Sequence, residues 1–263
     1  MSRYFISAVI ALLAFTVNSY AQTVTLDTYF NQETRKTKNG MERFHYLWND
    51  NTDPGFSKWG DWFKAAGFKL DTLGETPTVT KLEKSSVYII VDPDTKKETG
   101  HPNYITATTA NEIAKWVKAG GVLLLMANDS TNVNLPGFNI LANKFGLHFN
   151  DDMANHVIDD KHFADGEASF IDRVVFPSKP NVFLKDVCSI SLNNPAAKGV
   201  IKSADGSTVI AATVTYGKGI VFAVGDPWLY NEYVNGRLPA VYQNDIAAKE
   251  LTNWLKKQSI TTK

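Results

Sequence analysis

The sequence predicts an α/β protein built on a mainly parallel sheet with helices on both faces, and three observations carry that prediction. Three short runs, SVYIIVD at 86–92, VLLLMA at 122–127 and GIVFAV at 219–224, are apolar without alternation. That is the pattern of strands covered on both sides. Between them lie stretches with apolar residues at 3–4 spacing, the mark of amphipathic helices. The runs are short and bounded by Gly or polar residues, which separates buried strands from buried helix segments.

The chain opens with Arg3, then the almost wholly apolar ISAVIALLAFTV at 6–17, then Ser19 and Ala21 just before Gln22. This is the layout of a secretory signal with a small-residue cleavage site. The run falls short of the roughly 20 apolar residues a membrane span needs. Residues 1–21 are therefore expected to be a signal peptide and 22–263 one α/β domain. Its expected location is the periplasm, with secretion as the alternative, and no membrane span is expected.

The elements follow in order. Residues 24–30 read as a first strand and 31–40 as a polar loop. Residues 56–66 read as a helix with Phe56, Trp59, Trp62 and Phe63 on one stripe, Pro54 near its start and Gly67 at its end. A short strand follows at 68–73. After the strand at 86–92 comes a helix at 108–119, with Ala110, Ile113, Ala114 and Val117 facing in and Gly120-Gly121 stopping it. Past the strand at 122–127, residues 141–145 close a further helix and 147–150 form a strand. Residues 151–215 hold short strands with Pro, Asn and Gly turns, a β-rich extension. The last strand, 219–224, leads to a closing helix at 245–257 with Ile246, Ala247, Leu251, Trp254 and Leu255 turned inward.

Composition narrows the function classes. The chain is 44% hydrophobic with zero formal net charge. Its Lys and Arg are scattered among acids, so no nucleic-acid track is expected. The one cysteine, Cys188, cannot form an internal disulfide and sits in an apolar run, which reads as a small buried hydrophobe. No G-x-S-x-G, P-loop, G-x-G-x-x-G, H-E-x-x-H or C-x-x-C motif occurs, so neither a metal nor another cofactor is signalled. His156 and His162, with Asp159, Asp160 and Asp165, match an oxygen/nitrogen metal set. A solvated loop is the simpler reading of the same residues.

In an open α/β sheet, ligands bind beyond the carboxyl ends of the strands. Three strand ends here are polar: Asp92, Asp94, Glu98 and His101; Asn128, Asp129 and Ser130; Asp226, Trp228, Tyr230, Asn231 and Glu232. Each alone reads equally as a turn or cap; their convergence is what points to a site. A fourth cluster, Arg43 through Trp48 (RFHYLW), sets aromatics beside Arg and His. Such a set suits a sugar acid, with rings against the sugar and Arg on its carboxylate, or else a core edge.

The stretches YIIVDPDTKKETGHPNYI (88–105), WVKAGGVLLLMANDS (116–130) and YGKGIVFAVGDPWLYNEYVNGRLP (216–239) resemble a bacterial glutamine-amidotransferase-like domain. This is the kind appended to unsaturated rhamnogalacturonyl and glucuronyl hydrolases. TLDTYFNQE (25–33) and RFHYLWNDNTDPGFS (43–57) fit its start. The resemblance implies a flavodoxin-like, class I amidotransferase-like fold. No Cys–His pair stands at the elbow, where Asn128 lies instead, which argues against glutamine hydrolysis.

The companion hydrolases act on Δ4,5-unsaturated uronates. A freestanding exported relative is therefore expected to be a dehydratase (hydro-lyase). It would make such ends from saturated non-reducing-end uronates of cell-wall oligosaccharides, of ulvan or pectin type. Its partners are then a uronate-containing oligosaccharide and, in sequence, an unsaturated glycuronyl hydrolase. The alternative is a non-catalytic carbohydrate-binding module. Removal of the C5 proton needs a base, and His45, Tyr46, His101 and Tyr230 are the candidates. Arg43, Trp48, Asp92, Asn128, Asp226, Trp228, Asn231 and Arg237 are the candidate substrate-binding residues, with Arg43 or Arg237 on the carboxylate.

Overall fold

The structure is a computed structural model describing residues 22–159 and 161–261. The expected signal segment, 1–21, lies outside the described residues. Thr23–Asp27 (β1) opens the fold, followed by the hairpin of Thr34–Thr37 (β2) and Gly40–Arg43 (β3). Ser57–Ala65 (α1), Lys69–Leu73 (β4), Val79–Leu82 (α2) and Val87–Val91 (β5) follow. Then come Lys96–Thr99 (α3), Ala107–Lys118 (α4), Val122–Met126 (β6), Leu135–Ala142 (α5) and Leu147–Phe149 (β7). Five strands succeed them: Glu167–Phe170 (β8), Val182–Phe183 (β9), Ile190–Leu192 (β10), Lys198–Ser203 (β11) and Val209–Tyr216 (β12). The chain closes with Gly219–Val224 (β13), Asn231–Val234 (α6) and Asn244–Thr261 (α7).

Nine strands form the main sheet in the order β4-β1-β5-β6-β13-β12-β11-β8-β9. β4, β1, β5, β6 and β13 run parallel, so the three apolar runs of the sequence occupy its interior. Successive residues of these strands feed opposite cores, as a pleated strand requires. Val87, Ile89 and Val91 join Trp59 and Phe63 of α1 and Leu251 and Trp254 of α7 on one face. Tyr88 and Ile90 join Ile113 and Val117 of α4 and Phe138 of α5 on the other. The α/β class with helices on both faces is the observed fold.

The β-rich stretch is the antiparallel half of the same sheet: β12, β11, β8 and β9 continue from β13. β7 stays out of it and pairs with β10. Two sequence expectations are corrected. Residues 31–40 are not all loop, because β2 begins at Thr34; the hairpin stands in solvent, so its strands carry no apolar alternation to read. Ile246 does not face in but is 36% exposed, on the first turn of α7 and off the stripe of Ala247 and Leu251. Among the described residues, no helix is long and apolar enough to cross a membrane.

Candidate functional site

Parallel strands all end on one side, and four of them here end in a polar side chain: Asp27, Asp92, Asn128 and Asp226. Asn128 Nδ2 donates to Asp92 Oδ2 at 3.3 Å, and the Tyr46 hydroxyl donates to the same oxygen at 2.9 Å. Asp226 bears electrostatically on both Tyr46 and Tyr230. The rings of Tyr46 and Tyr230 are 6.2 Å apart, and those of Tyr230 and Tyr233 4.6 Å. A row of three tyrosine rings thus runs along the rim between two unlike halves.

The first half is acidic. His45 Nδ1 lies 2.6 Å from Glu33 Oε1. Glu98 closes a capping box on Thr95, accepting from its N–H and hydroxyl through Oε2. Glu33, Asp92 and Glu98 each bring an oxygen within 4.8 Å of the others. Burial, reinforced by the charge of Glu98, pushes the Asp92 carboxyl well above the usual carboxylate range. Burial also lifts Asp94 to about 7 against the N–H of Gln32, with Glu33 and Glu98 adding to the rise. His45, Tyr46 and Asp92 all hold positive φ, at 64°, 54° and 45°. Non-glycine residues there cost roughly 1–3 kcal/mol each and persist only where the surroundings over-determine them. Here the Tyr46 N–H donates to the Pro54 carbonyl, and Asn31 Nδ2 donates to the Asp92 carbonyl.

The second half is a cavity of about 410 Å³, two of whose wall residues, Lys185 and Tyr233, feel the charge of Asp226. Its wall includes Phe163, Phe183, Tyr233, Lys185 and Arg237. Arg237 pairs tightly with Glu232 and lies 4.0 Å from Asp53. Lys185 bears on the buried Asp226 carboxyl, which burial holds well above its ordinary range. The Tyr233 phenol is also pushed up by burial, so it stays protonated. His156 adjoins the wall residue Val157, and its Nδ1 lies 2.8 Å from Asp186, the neighbour of the wall residue Lys185.

The sequence-derived candidates divide accordingly. His45, Tyr46, Asp92 and Asn128 come together in the acidic half, and Arg237 lines the cavity. Tyr230 stands between the two halves. His101 is exposed after α3. Arg43 is exposed and donates through Nη2 to the carbonyls of Thr28 and Asn31 at 3.2 and 2.6 Å, so part of its guanidinium is engaged by the chain itself. Trp228 is fully buried and is a core residue rather than a platform for a sugar. Trp48 packs against Trp59 and Phe63 and donates its indole N–H to the Asp71 carbonyl. Asn231 gives its amide to Asp50, Thr52 and Ser57, so it ties the loop before α1 to α6.

No sequence signal singles out Glu33, Lys185, Tyr233 and the cavity phenylalanines as a binding surface, and His156 stands out there only as part of a metal set. They come from loops, from α6 and from the antiparallel half of the sheet, where no spacing marks convergence. His156 and His162 do not share a site either: they pair separately with Asp186 and Asp159.

No family model matches the chain, and no curated protein does. Solved structures do. The mmIFT52 N-terminal domain is 15% identical with a TM-score of 0.68, over 89% of this chain and 97% of that one. A GMP-synthase-type protein from Thermoplasma acidophilum is 10% identical with a TM-score of 0.51, over 92% and 96%. A cold-adapted β-galactosidase from Rahnella sp. R3 is 13% identical with a TM-score of 0.51, over 90% of this chain and 31% of that one. At such identities what is shared is the fold alone, an α/β architecture that includes an amidotransferase-like member.

Proposed function

We propose that this protein is an exported hydro-lyase that removes water from the non-reducing-end uronate of cell-wall oligosaccharides, leaving a Δ4,5-unsaturated end for an unsaturated glycuronyl hydrolase. The observation that carries the reading is the cavity where Lys185 and Arg237 share a wall with Phe163, Phe183 and Tyr233. Cations meet a carboxylate there, and rings meet the apolar face of a sugar. The resemblance to domains appended to glycuronyl hydrolases supports the same substrate class.

In the reaction the C5–H bond breaks, its electron pair forms the C4=C5 double bond, and the 4-hydroxyl leaves with a proton as water. Negative charge grows on the carboxylate as C5–H breaks, so Lys185 and Arg237 bind the transition state more tightly than the ground state. His156, oriented by Asp186, takes the C5 proton. Tyr233, held protonated by burial, gives its proton to the leaving oxygen. These roles replace His45, Tyr46, His101 and Tyr230 as the proposed acid and base.

The test is to incubate the pure protein with saturated uronate-ended oligosaccharides and follow the ultraviolet absorbance of the new C=C–carboxylate. His156→Ala and Tyr233→Phe are expected to slow its growth by roughly 100-fold or more with binding nearly kept. Binding by the wild type without any double bond would transfer the reading to a carbohydrate-binding module using the same cavity. No binding at all would sink both.

A further inference from the structure

We propose that Glu33, Asp92 and Glu98 form a calcium-binding site on the acidic half of the rim, apart from the sugar cavity. Their three oxygens lie within 4.8 Å of one another. Each carboxyl is anchored through one oxygen: Glu33 Oε1 by His45, Asp92 Oδ2 by Tyr46 and Asn128, Glu98 Oε2 by Thr95. Outer partners orient metal ligands in this way.

A second, independent feature points to a ligand. Asp92 is only 3% exposed, yet its Oδ1 has no hydrogen-bond partner. A buried unpaired carboxylate oxygen costs free energy unless something meets it. Hydrogen bonds from Tyr46 and Asn128 do not reach it, and among the described residues the ion pairs of the three acids are limited to that of His45 with Glu33. A bound cation supplies the partner that Asp92 Oδ1 lacks and offsets the charge of three acids facing one histidine.

All-oxygen donors select a hard cation. Calcium is favoured over magnesium, which demands near-ideal octahedral geometry and gives up its water reluctantly. Calcium also accepts the irregular geometry that side chains from the β1–β2 loop, the end of β5 and α3 impose, with water completing its shell.

Thermal melts of the full chain, first stripped with a chelator, test the proposal. With calcium at about twentyfold its dissociation constant, the melting temperature is expected to rise by about 5 °C. Glu33→Gln and Glu98→Gln should each remove most of that rise; both side chains are partly exposed, so neither change disturbs the core. Terbium, a calcium surrogate, should show emission sensitised by Tyr46, displaced by calcium and diminished in Tyr46→Phe. That readout holds even where a glutamine variant folds poorly. A flat calcium titration of the wild type, a rise that survives intact in both glutamine variants, or no sensitised emission would overturn the site. An equal shift from magnesium at the same concentration would overturn the choice of calcium. None of these measurements uses the dehydration assay, so the site and the proposed reaction stand or fall separately.

Discussion

Tyr46 donates its phenolic hydrogen to Asp92 Oδ2 at 2.9 Å, and both residues sit in left-handed backbone. The bond spans 46 positions of sequence. It joins the loop after the exposed hairpin to the point where β5 leaves the sheet. This contact ties the two turns to each other, while the Tyr46 N–H to the Pro54 carbonyl and Asn31 to the Asp92 carbonyl hold each one locally.

Removing that hydroxyl should loosen both turns. Tyr46→Phe keeps the ring against Phe56 and Tyr230 but leaves Asp92 Oδ2 with Asn128 alone. The expected loss is about 0.5–1.5 kcal/mol, the net worth of one hydrogen bond, since Asn128 still meets the oxygen. Urea unfolding measures it, and a midpoint equal to the wild type would show that the bond holds nothing.

The two cavity cations should not be equivalent. Arg237 already faces Glu232, whereas no ion pair engages Lys185 among the described residues. Lys185→Ala is expected to weaken uronate-oligosaccharide binding by roughly tenfold and Arg237→Ala by less. Glu232→Gln, which releases Arg237, should strengthen binding. Calorimetric titration with one oligosaccharide ranks the three. Equal losses for both cation variants, together with weaker binding for Glu232→Gln, would count against the carboxylate reading.

Cys188 should be chemically silent. It is fully buried, its S–H points at the Asn128 carbonyl, and burial, with Asp152 adding, pushes its thiol far up. The reactive thiolate is thus suppressed. A thiol reagent should label the native protein only as fast as it unfolds, and at once in denaturant. Nearby, a Cβ at Gly225 would stand 1.8 Å from the Cys188 carbonyl oxygen. Gly225→Ala must therefore shift backbone, and a loss of several kcal/mol is expected, within the range of severe packing errors.

The legible part of this molecule is the part governed by one-dimensional pattern. β5, β6 and β13 are readable because a strand buried on both faces has no polar residue to interrupt it. Parallel direction then puts Asp92, Asn128 and Asp226 on one rim. The hairpin β2–β3 is illegible because both its faces meet water. The cavity is illegible for a different reason: Phe163 precedes β8, Lys185 follows β9 and Tyr233 sits on α6, so three separate stretches meet there and leave no spacing in the sequence. Trp228 misleads because an aromatic after a strand end looks available for stacking, while here it turns back into the core.

Asp27 offers a pH test with a definite sign. It is buried at the end of β1, accepts from the N–H groups of Phe30 and Tyr29 at 2.7 and 3.1 Å, and receives the Tyr88 hydroxyl. Burial lifts its pKa from 3.8 to about 7, against these hydrogen bonds and the charge of Arg43. Between those values the folded chain holds a proton that the unfolded chain has lost. Stability therefore falls as pH rises from about 4 to about 7 and levels off beyond, a change on the order of 4 kcal/mol at most. Asp94, also near 7, contributes with the same sign, so the informative quantity is a difference between proteins. Asp27→Asn keeps an acceptor for Phe30 and cannot ionise. Urea unfolding free energies of the two proteins, compared at about pH 4 and about pH 7.5 near the two ends of the window, should show the variant losing less on going to the higher pH. Parallel lines for the two proteins would mean that Asp27 stays ionised in the fold and that Tyr88, Phe30 and Tyr29 outweigh its burial.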